Sequence, residues 1–328
     1  AQRVRRREVT PGPVPIVEGV RRALNTTGAA QYSFSNTGSL IYIAGPASAT
    51  AAQRALGMVD RKGSTELLKL PLGPYLTPRL SPDGKRIAIP TENAKEANIS
   101  VYELSGATSI QRLTVGGANR YPLWSTDSER VAFQSDREGD FGIWWQRADG
   151  SGTAERLTKA EQGVMHIPDS WSPNGKLLSF TAVKGNDASV WILSVPDKKP
   201  VLFADAPSSF VSFSAFSPDG RWLAYQSTYM GGTLSNIWVQ PFPATGSSYQ
   251  ISKDGAIYPI WSRGGNEIVY NDRNLGTVAV GVMAQTGFTF GNPTPLPRFT
   301  IRDIRLPRDY DLERDGNRFI ALVSGDAQ

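Results

Sequence analysis

The sequence predicts an all-β protein of the β-propeller class, built from four-stranded antiparallel blades, on three observations. A turn motif recurs at nearly constant spacing, the residues after each turn alternate apolar and polar, and no stretch carries a helical period with caps. Composition agrees. Of 328 residues 40% are hydrophobic and 20% charged, and the 32 Gly and 23 Pro are spread evenly rather than in tracts, as in a turn-rich globular chain.

The motif joins a bulky apolar residue to a Ser-Pro-Asp-Gly-like turn and occurs seven times: Phe34 to Gly38, Leu80 to Gly84, Trp124 to Ser128, Trp171 to Gly175, Phe216 to Gly220, Trp261 to Gly265 and, most degenerate, Leu312 to Gly316. Successive starts lie 46, 44, 47, 45, 45 and 51 residues apart, the length that one four-stranded blade needs. Pro presets φ at the first bend position, Asp or Asn bonds its own backbone, and Gly takes the positive-φ place that closes the hairpin. Each motif therefore joins a first strand to a second. In the second strand a large apolar residue follows the turn (Ile41, Ile87, Val131, Leu178, Leu223, Ile268, Phe319), usually with another two positions on, which is the period of a strand.

A third strand recurs as Ile99 to Tyr102, Ile143 to Trp145, Val190 to Leu193, Ile237 to Val239 and Val278 to Val280. A fourth follows as Gln111 to Thr114, Glu155 to Thr158 and Tyr249 to Ser252. Such a sheet cannot bury both faces alone, so like units stack around an axis. Repeats start near residues 28, 75, 119, 165, 210, 256 and 307, which predicts seven blades in one domain spanning 1–328, with six as the alternative count. Pro13 to Ile16 resembles Pro293 to Leu296, which holds a fourth-strand place. A strand at about 13–20 is therefore expected to complete the last blade, closing the ring by pairing the N- and C-terminal segments and leaving no free edge.

Charge and composition exclude several functions. The net charge is only +5, and the arginine clusters at 3–7 and 298–308 lack an aromatic stacking platform, so no specific nucleic-acid partner is expected. Without cysteine there is no disulfide, thiolate zinc site or cysteine nucleophile, and His166 as the sole histidine excludes a multi-histidine metal site. No apolar run approaches the roughly 18 residues of a membrane helix. No cofactor is predicted; the one metal reading kept is calcium or another divalent cation held by backbone carbonyls in the central channel. The acidic runs 135–140 and 309–316 read as hairpin turns, since neither fits an EF-hand loop.

The aromatic-or-Leu Ser-Pro-Asp-Gly turn followed by a basic residue and a short apolar strand is clearest at Leu80 to Ile89 and Phe216 to Tyr225. On these residues the chain resembles the TolB-like, WD-repeat-like propeller family from about Gly28 to Val323. Arg221 to Ser227 and Trp238 to Pro243 are especially similar to the propellers found C-terminal to a membrane anchor in bacterial receptor Ser/Thr kinases. The resemblance implies an extracytoplasmic sensor or interaction platform, in the periplasm or at the cell surface, and carries over no catalytic residue.

In a propeller the loops leading into the first strands surround one end of the axial channel. Residues there that fall off the repeat pattern are the candidate ligand contacts: Tyr75, Asn119, Arg120, His166, Phe210, Tyr258 and Arg305. His166 could serve as a general base only with an orienting carboxylate, for which Asp169 or Glu161 is at hand, and no Gly-x-Ser-x-Gly elbow is present. No catalytic residue is assigned. Trp124, Trp144, Trp171, Trp191, Trp238 and Trp261 occupy repeat positions that pack blade on blade. The expected function is a non-catalytic propeller that binds a protein, peptide or small-molecule ligand as a monomer, as the sensor or interaction domain of a larger bacterial receptor. The alternative is a stand-alone propeller hydrolase or lyase with a site at the channel mouth, with or without a divalent cation.

Overall fold

The computed structural model describes residues 32–34, 40–42 and 53–323, without 94–95, 107–108, 205–209, 229–233, 275, 285–286, 298–307 and 314. The chain forms two compact units, 1–52 and 53–328. In the first, β1 (Tyr32–Phe34) and β2 (Leu40–Tyr42) make an antiparallel hairpin with Ser33 opposite Ile41.

The second unit is a propeller of six four-stranded antiparallel blades. It opens with β3 (Ala55–Asp60) and β4 (Thr65–Leu67). Blade A is β5 (Arg79–Leu80), β6 (Arg86–Glu92), β7 (Ala97–Glu103) and β8 (Gln111–Arg112). Blade B is β9 (Asn119–Trp124), β10 (Arg130–Ser135), β11 (Gly142–Arg147) and β12 (Glu155–Arg156). Blade C is β13 (Val164–Trp171), β14 (Leu177–Lys184), β15 (Asp187–Ser194) and β16 (Lys199–Ala204). Blade D is β17 (Val211–Phe216), β18 (Trp222–Ser227), β19 (Asn236–Pro241) and β20 (Tyr249–Gln250). Blade E is β21 (Ala256–Trp261), β22 (Glu267–Asp272), β23 (Thr277–Met283) and β24 (Thr289–Pro295). The last strands, β25 (Tyr310–Leu312) and β26 (Arg318–Val323), join β3 and β4 as blade F in the order β25-β26-β3-β4.

Six blades replace the seven expected, so the alternative count holds. The Phe34 motif lacks both the Pro and the Asp of the turn and yields only the β1–β2 hairpin. The Leu312 motif takes its third strand from upstream: Ile320 stands opposite Met58, and Met58 opposite Glu66. Ala55 to Val59 is a continuous buried run, which suits a central strand. The segment at about 13–20 lies outside the described residues. No helix among the described residues is long and apolar enough to cross a membrane.

The turns form as their residues dictate. In blade D Ser217 Oγ lies 2.6 Å from Asp219 Oδ1 and accepts the Trp222 N–H at 3.0 Å, while Gly220 closes the turn at φ 72°. The same arrangement recurs at Ser81 and Asp83, Ser125 and Asp127, and Ser172 and Asn174. In the third motif Ser128 takes the glycine place at φ 64°, and its hydroxyl accepts the Asp83 N–H of the neighbouring turn at 3.0 Å, which offsets the strain. Ser217→Ala is expected to cost about 1–2 kcal/mol, because it strips the Trp222 amide of its acceptor inside the fold. Urea unfolding would check this, and a cost indistinguishable from zero would show that the hydroxyl is dispensable.

Packing is divided among the blade boundaries. One apolar cluster sits at each of the six: Val131 and Phe133 against Ala88 and Ile99 between A and B, for example, and Leu178 and Phe180 against Ala132 and Ile143 between B and C. Blade F packs on both neighbours, with Tyr310 and Phe319 against Val269 and Ala279 of blade E, and Leu56 and Ile320 against Ile87 and Ile89 of blade A. Each fully buried Ile, Leu or Phe of this kind contributes about 1.5–3 kcal/mol. The clusters fix the blades around the axis, and thereby the side chains that the first strands turn toward the channel.

Candidate functional site

Each first strand ends at the aromatic or Leu residue before its turn, and the three residues ahead of that point decide what lines the channel. In blades B, C, D and E the pairing of first and second strand slips there, between Ala132 and Gln134, Pro168 and Ser170, Ser212 and Ala215, and Ile257 and Ile260. Prolines at 122, 168 and 259 favour the slip, since they cannot donate to the ladder. At three bulges an aromatic residue is held at positive φ: Tyr121 at 56°, Phe213 at 52° and Tyr258 at 61°. Such conformations cost about 1–3 kcal/mol each and persist only where the surroundings enforce them. At Phe213 and Tyr258 the second strand of the preceding blade does so. Thr181 Oγ1 accepts the Phe213 N–H at 2.9 Å, and Gln226 Oε1 accepts the Tyr258 N–H at 2.9 Å.

The bulges enclose a small axial chamber of 40 Å³, walled by Arg79, Tyr121, Asp169, Phe213, Tyr258 and Arg308 among others. It adjoins a funnel of 680 Å³ on the turn side of the ring, and Arg79, Leu123, Asp169 and Arg308 border both. Trp124, Trp171, Phe216 and Trp261 flank the funnel, and turn residues such as Pro82, Thr126 and Pro218 rim it.

The polar groups at the junction are tightly held. Asp169 Oδ2 accepts from Thr181 Oγ1 at 2.7 Å, Ser214 Oγ at 2.9 Å and Ser214 N at 3.1 Å. Burial nevertheless pushes its carboxyl up to about 7, against those bonds and the Arg308 charge. Arg79 Nη1 donates to the carbonyls of Pro78, Arg308 and Tyr310. Burial, with the Arg308 charge adding to it, brings the Arg79 guanidinium down to about 9, opposed by Asp311 and Asp309. Arg308 Nη2 donates to Asp311 Oδ1 at 3.2 Å, and Asp311 Oδ2 accepts the Leu80 N–H at 3.0 Å. Arg308 Nε is shut off from solvent without an acceptor among the described residues, a loss of about 1–3 kcal/mol for a buried donor. No group of three or more acidic or histidine side chains among the described residues is placed to hold a metal ion.

No family model matches the chain. It is 30% identical over 119 residues to an uncharacterized peptidase of Bacillus subtilis, covering 34% of this chain and 18% of that protein. Over 120 residues it is 30% identical to a TolB homolog of Chlorobium luteolum, covering 37% of this chain and 26% of that one. The chain thus spans a minor part of the curated relatives it matches. A putative TolB from Agrobacterium tumefaciens superposes with a TM-score of 0.64 at 17% identity, over 83% of this chain and 98% of that one. The fold is that of the TolB-like propellers. An oligogalacturonate lyase in complex with manganese shares it more distantly, with a TM-score of 0.51 at 12% identity over 82% of this chain and 77% of that one.

Within this TolB-like propeller the residues singled out from the sequence are dispersed. Of those among the described residues, Tyr258 alone walls the chamber, edge-on to Phe213 at 4.8 Å between ring centres. Tyr75 is buried, its hydroxyl donating to Pro71 O at 2.8 Å. Asn119 is fully buried, donating to Gly116 and Gly117 and accepting from Arg137. Arg120 is paired through two bonds with Glu92, at 2.6 and 2.9 Å. Phe210 packs with Phe213 and Tyr121 on Ile167, Val183 and Ala188. Arg305 lies outside the described residues. His166 Nδ1 meets Thr158 Oγ1 at 2.9 Å and its ring lies 4.9 Å from Phe180, whereas Asp169 is bound to Thr181 and Ser214, so the two form no dyad. Of the acidic runs, Asp136 accepts the Ala118 N–H and both Glu138 and Asp140 pair with Arg156.

Arg79, Asp169, Arg308 and Asp311 carry the junction instead. The available signal was strongest at the place just before each motif, where Arg79 and Asp311 stand against Ser33, Leu123, Ser170, Ala215 and Ile260, and at Asp169, whose place holds Pro, Ser or Tyr elsewhere.

Two of these groups tie stability to pH in opposite directions. The raised Asp169 carboxyl lets the native state hold a proton that the unfolded chain releases above 3.8, so its contribution falls as pH rises through about 7. Burial lowers the His166 imidazole from 6.5 to about 4, with Asp140 opposing and Arg156 assisting, so its contribution is lost as pH falls across that window. Asp169→Asn keeps the acceptor for Thr181 and Ser214 and removes the first effect. A gain of about 1–3 kcal/mol at about pH 8 is expected, less than the full displacement because the cavity admits solvent. A steeper loss than wild type on acidification should accompany it. Urea titrations across pH would test this; coincident profiles for the two proteins would refute it.

Proposed function

We propose that the chain is a non-catalytic binding propeller whose ligand, a protein segment, peptide or small molecule, seats in the turn-side funnel. The single observation that carries this reading is the funnel itself: 680 Å³ flanked by aromatic side chains, with arginine and aspartate at its floor. Its lining mixes aromatic faces with polar groups in about equal measure, which suits a ligand that offers both apolar and hydrogen-bonding surface. The resemblance to receptor-kinase propellers and to TolB-like proteins supports a sensor or interaction role outside the cytoplasm, with the ring acting as a monomer. One observation favours a second reading. Asp169, with its carboxyl near 7, lines the chamber within reach of the Arg308 charge, an arrangement suited to proton transfer, and one of the similar propellers is a lyase.

Panning the intact chain against a peptide display library tests the leading reading. Binders should lose about tenfold or more in affinity to Thr126→Trp, which crowds the rim. Binders indifferent to that change, or turnover of ester, peptide or glycoside substrates lost in Asp169→Asn, would count against it.

A further inference from the structure

Arg308 is under-used by the protein that surrounds it. Its side chain keeps 15% of its surface and makes one hydrogen bond, to Asp311, among the described residues; Nε and Nη1 have no acceptor there. Asp311, which also accepts the Leu80 N–H, fixes the direction in which the guanidinium points. Arg79 stands on the same chamber wall, its Nη1 anchored to three carbonyls, close enough that the two positive charges oppose one another. Asp309 and Asp311 offset part of that repulsion, so the case rests on the Arg308 donor left over, and a guanidinium fork matches planar or tetrahedral oxyanions.

Size narrows the class. A chamber of 40 Å³ takes a group of a few atoms, whereas the adjoining 680 Å³ takes something much larger. Asp169, the acidic group on the shared wall, has Oδ2 filled by Thr181 and Ser214 and is held toward its neutral form, in which it donates to an oxyanion rather than repelling it.

We propose that the axial chamber binds the oxyanion head, a carboxylate or phosphate, of a ligand whose body fills the funnel, with Arg308 as the donor and the Arg79 charge on the same wall. This rests on the binding reading above and names the chemistry that the ligand presents.

The test uses the intact chain in mildly acidic buffer at constant ionic strength. The thermal midpoint is followed against inorganic phosphate, acetate and, as the cation control, tetramethylammonium. A saturable rise with phosphate, acetate or both is expected, the responding anion identifying the head group. Arg308→Gln should abolish the rise, and Arg308→Lys, which keeps charge without the fork, should weaken it about tenfold and serves if the glutamine variant folds poorly. Arg221→Gln, on the surface, should leave it intact. No anion response, an equal response in the Arg308 variants, or a response to tetramethylammonium would overturn the proposal. Panned binders sensitive to Thr126→Trp but indifferent to Arg308→Gln would overturn it while sparing the binding reading. If neither anions nor funnel-dependent binders are found, both fall.

Discussion

Met58→Pro is expected to destabilise the propeller by about 3 kcal/mol or more and to broaden its unfolding transition. Met58 sits in the middle of β3, opposite Ile320 on one side and Glu66 on the other, so both of its flanks are paired. Proline removes an N–H from that ladder and places a ring where a neighbouring strand must lie. The damage reaches beyond one bond, because β3 and β4 complete a sheet whose other half comes from the far end of the unit. Losing it exposes Val59, Phe319 and Tyr310 at the boundary with blade E, and Leu56 and Ile320 at the boundary with blade A. Met58→Ile, apolar and β-branched, should cost less than about 1.5 kcal/mol. Denaturant unfolding distinguishes the cases. A small shift with an unchanged slope for the proline variant would mean that 55–67 is peripheral and that blade F stands without it.

Trp261→Ala should cost about 3–5 kcal/mol and lower the thermal midpoint by about 10 °C. The side chain is buried at the boundary between blades D and E, near Phe288, and its Nε1 donates to Ala215 O of blade D at 3.0 Å. Trp124 does the same for Arg79 O at 2.9 Å. Trp171 holds the matching place in blade C, yet its Nε1 has no acceptor and its ring stacks on Trp145 at 5.9 Å. Trp261→Phe and Trp124→Phe should therefore each cost about 1 kcal/mol more than Trp171→Phe, since each leaves a carbonyl without its donor. Equal costs at the three positions would show that ring volume alone matters.

The repeat was legible because a propeller turn constrains its residues one by one: Ser as local acceptor, Pro for φ, Asp for the next amides, Gly for positive φ. Second and third strands followed from period-two apolarity, and residues such as Ile87, Phe133 and Leu223 are indeed fully buried. The blade count was harder, because it depends on which partner a strand chooses. Ala55 to Val59 reads equally well as a third strand for the Phe34 motif or for the Leu312 motif, and only pairing across the length of the unit decides it. The site was legible in part. Off-pattern residues in the lead-in loops turned out to be spent on internal bonds, as at Asn119 and Arg120, because loops joining blades must satisfy their own buried polar groups. Arg79, Asp169 and Arg308 come from different blades, and nothing in their spacing announces that they meet.

Hydrogen exchange on the intact chain, with and without a panned binder, separates the two mouths of the channel most directly. A turn-side site requires slowed exchange in the turns at 81–84, 125–128, 172–175, 217–220 and 262–265, with the amides around Tyr75, Asn119 and Phe210 unchanged. Slowing confined to those lead-in loops, with the turns exchanging as in the free protein, would contradict a ligand seated in the funnel.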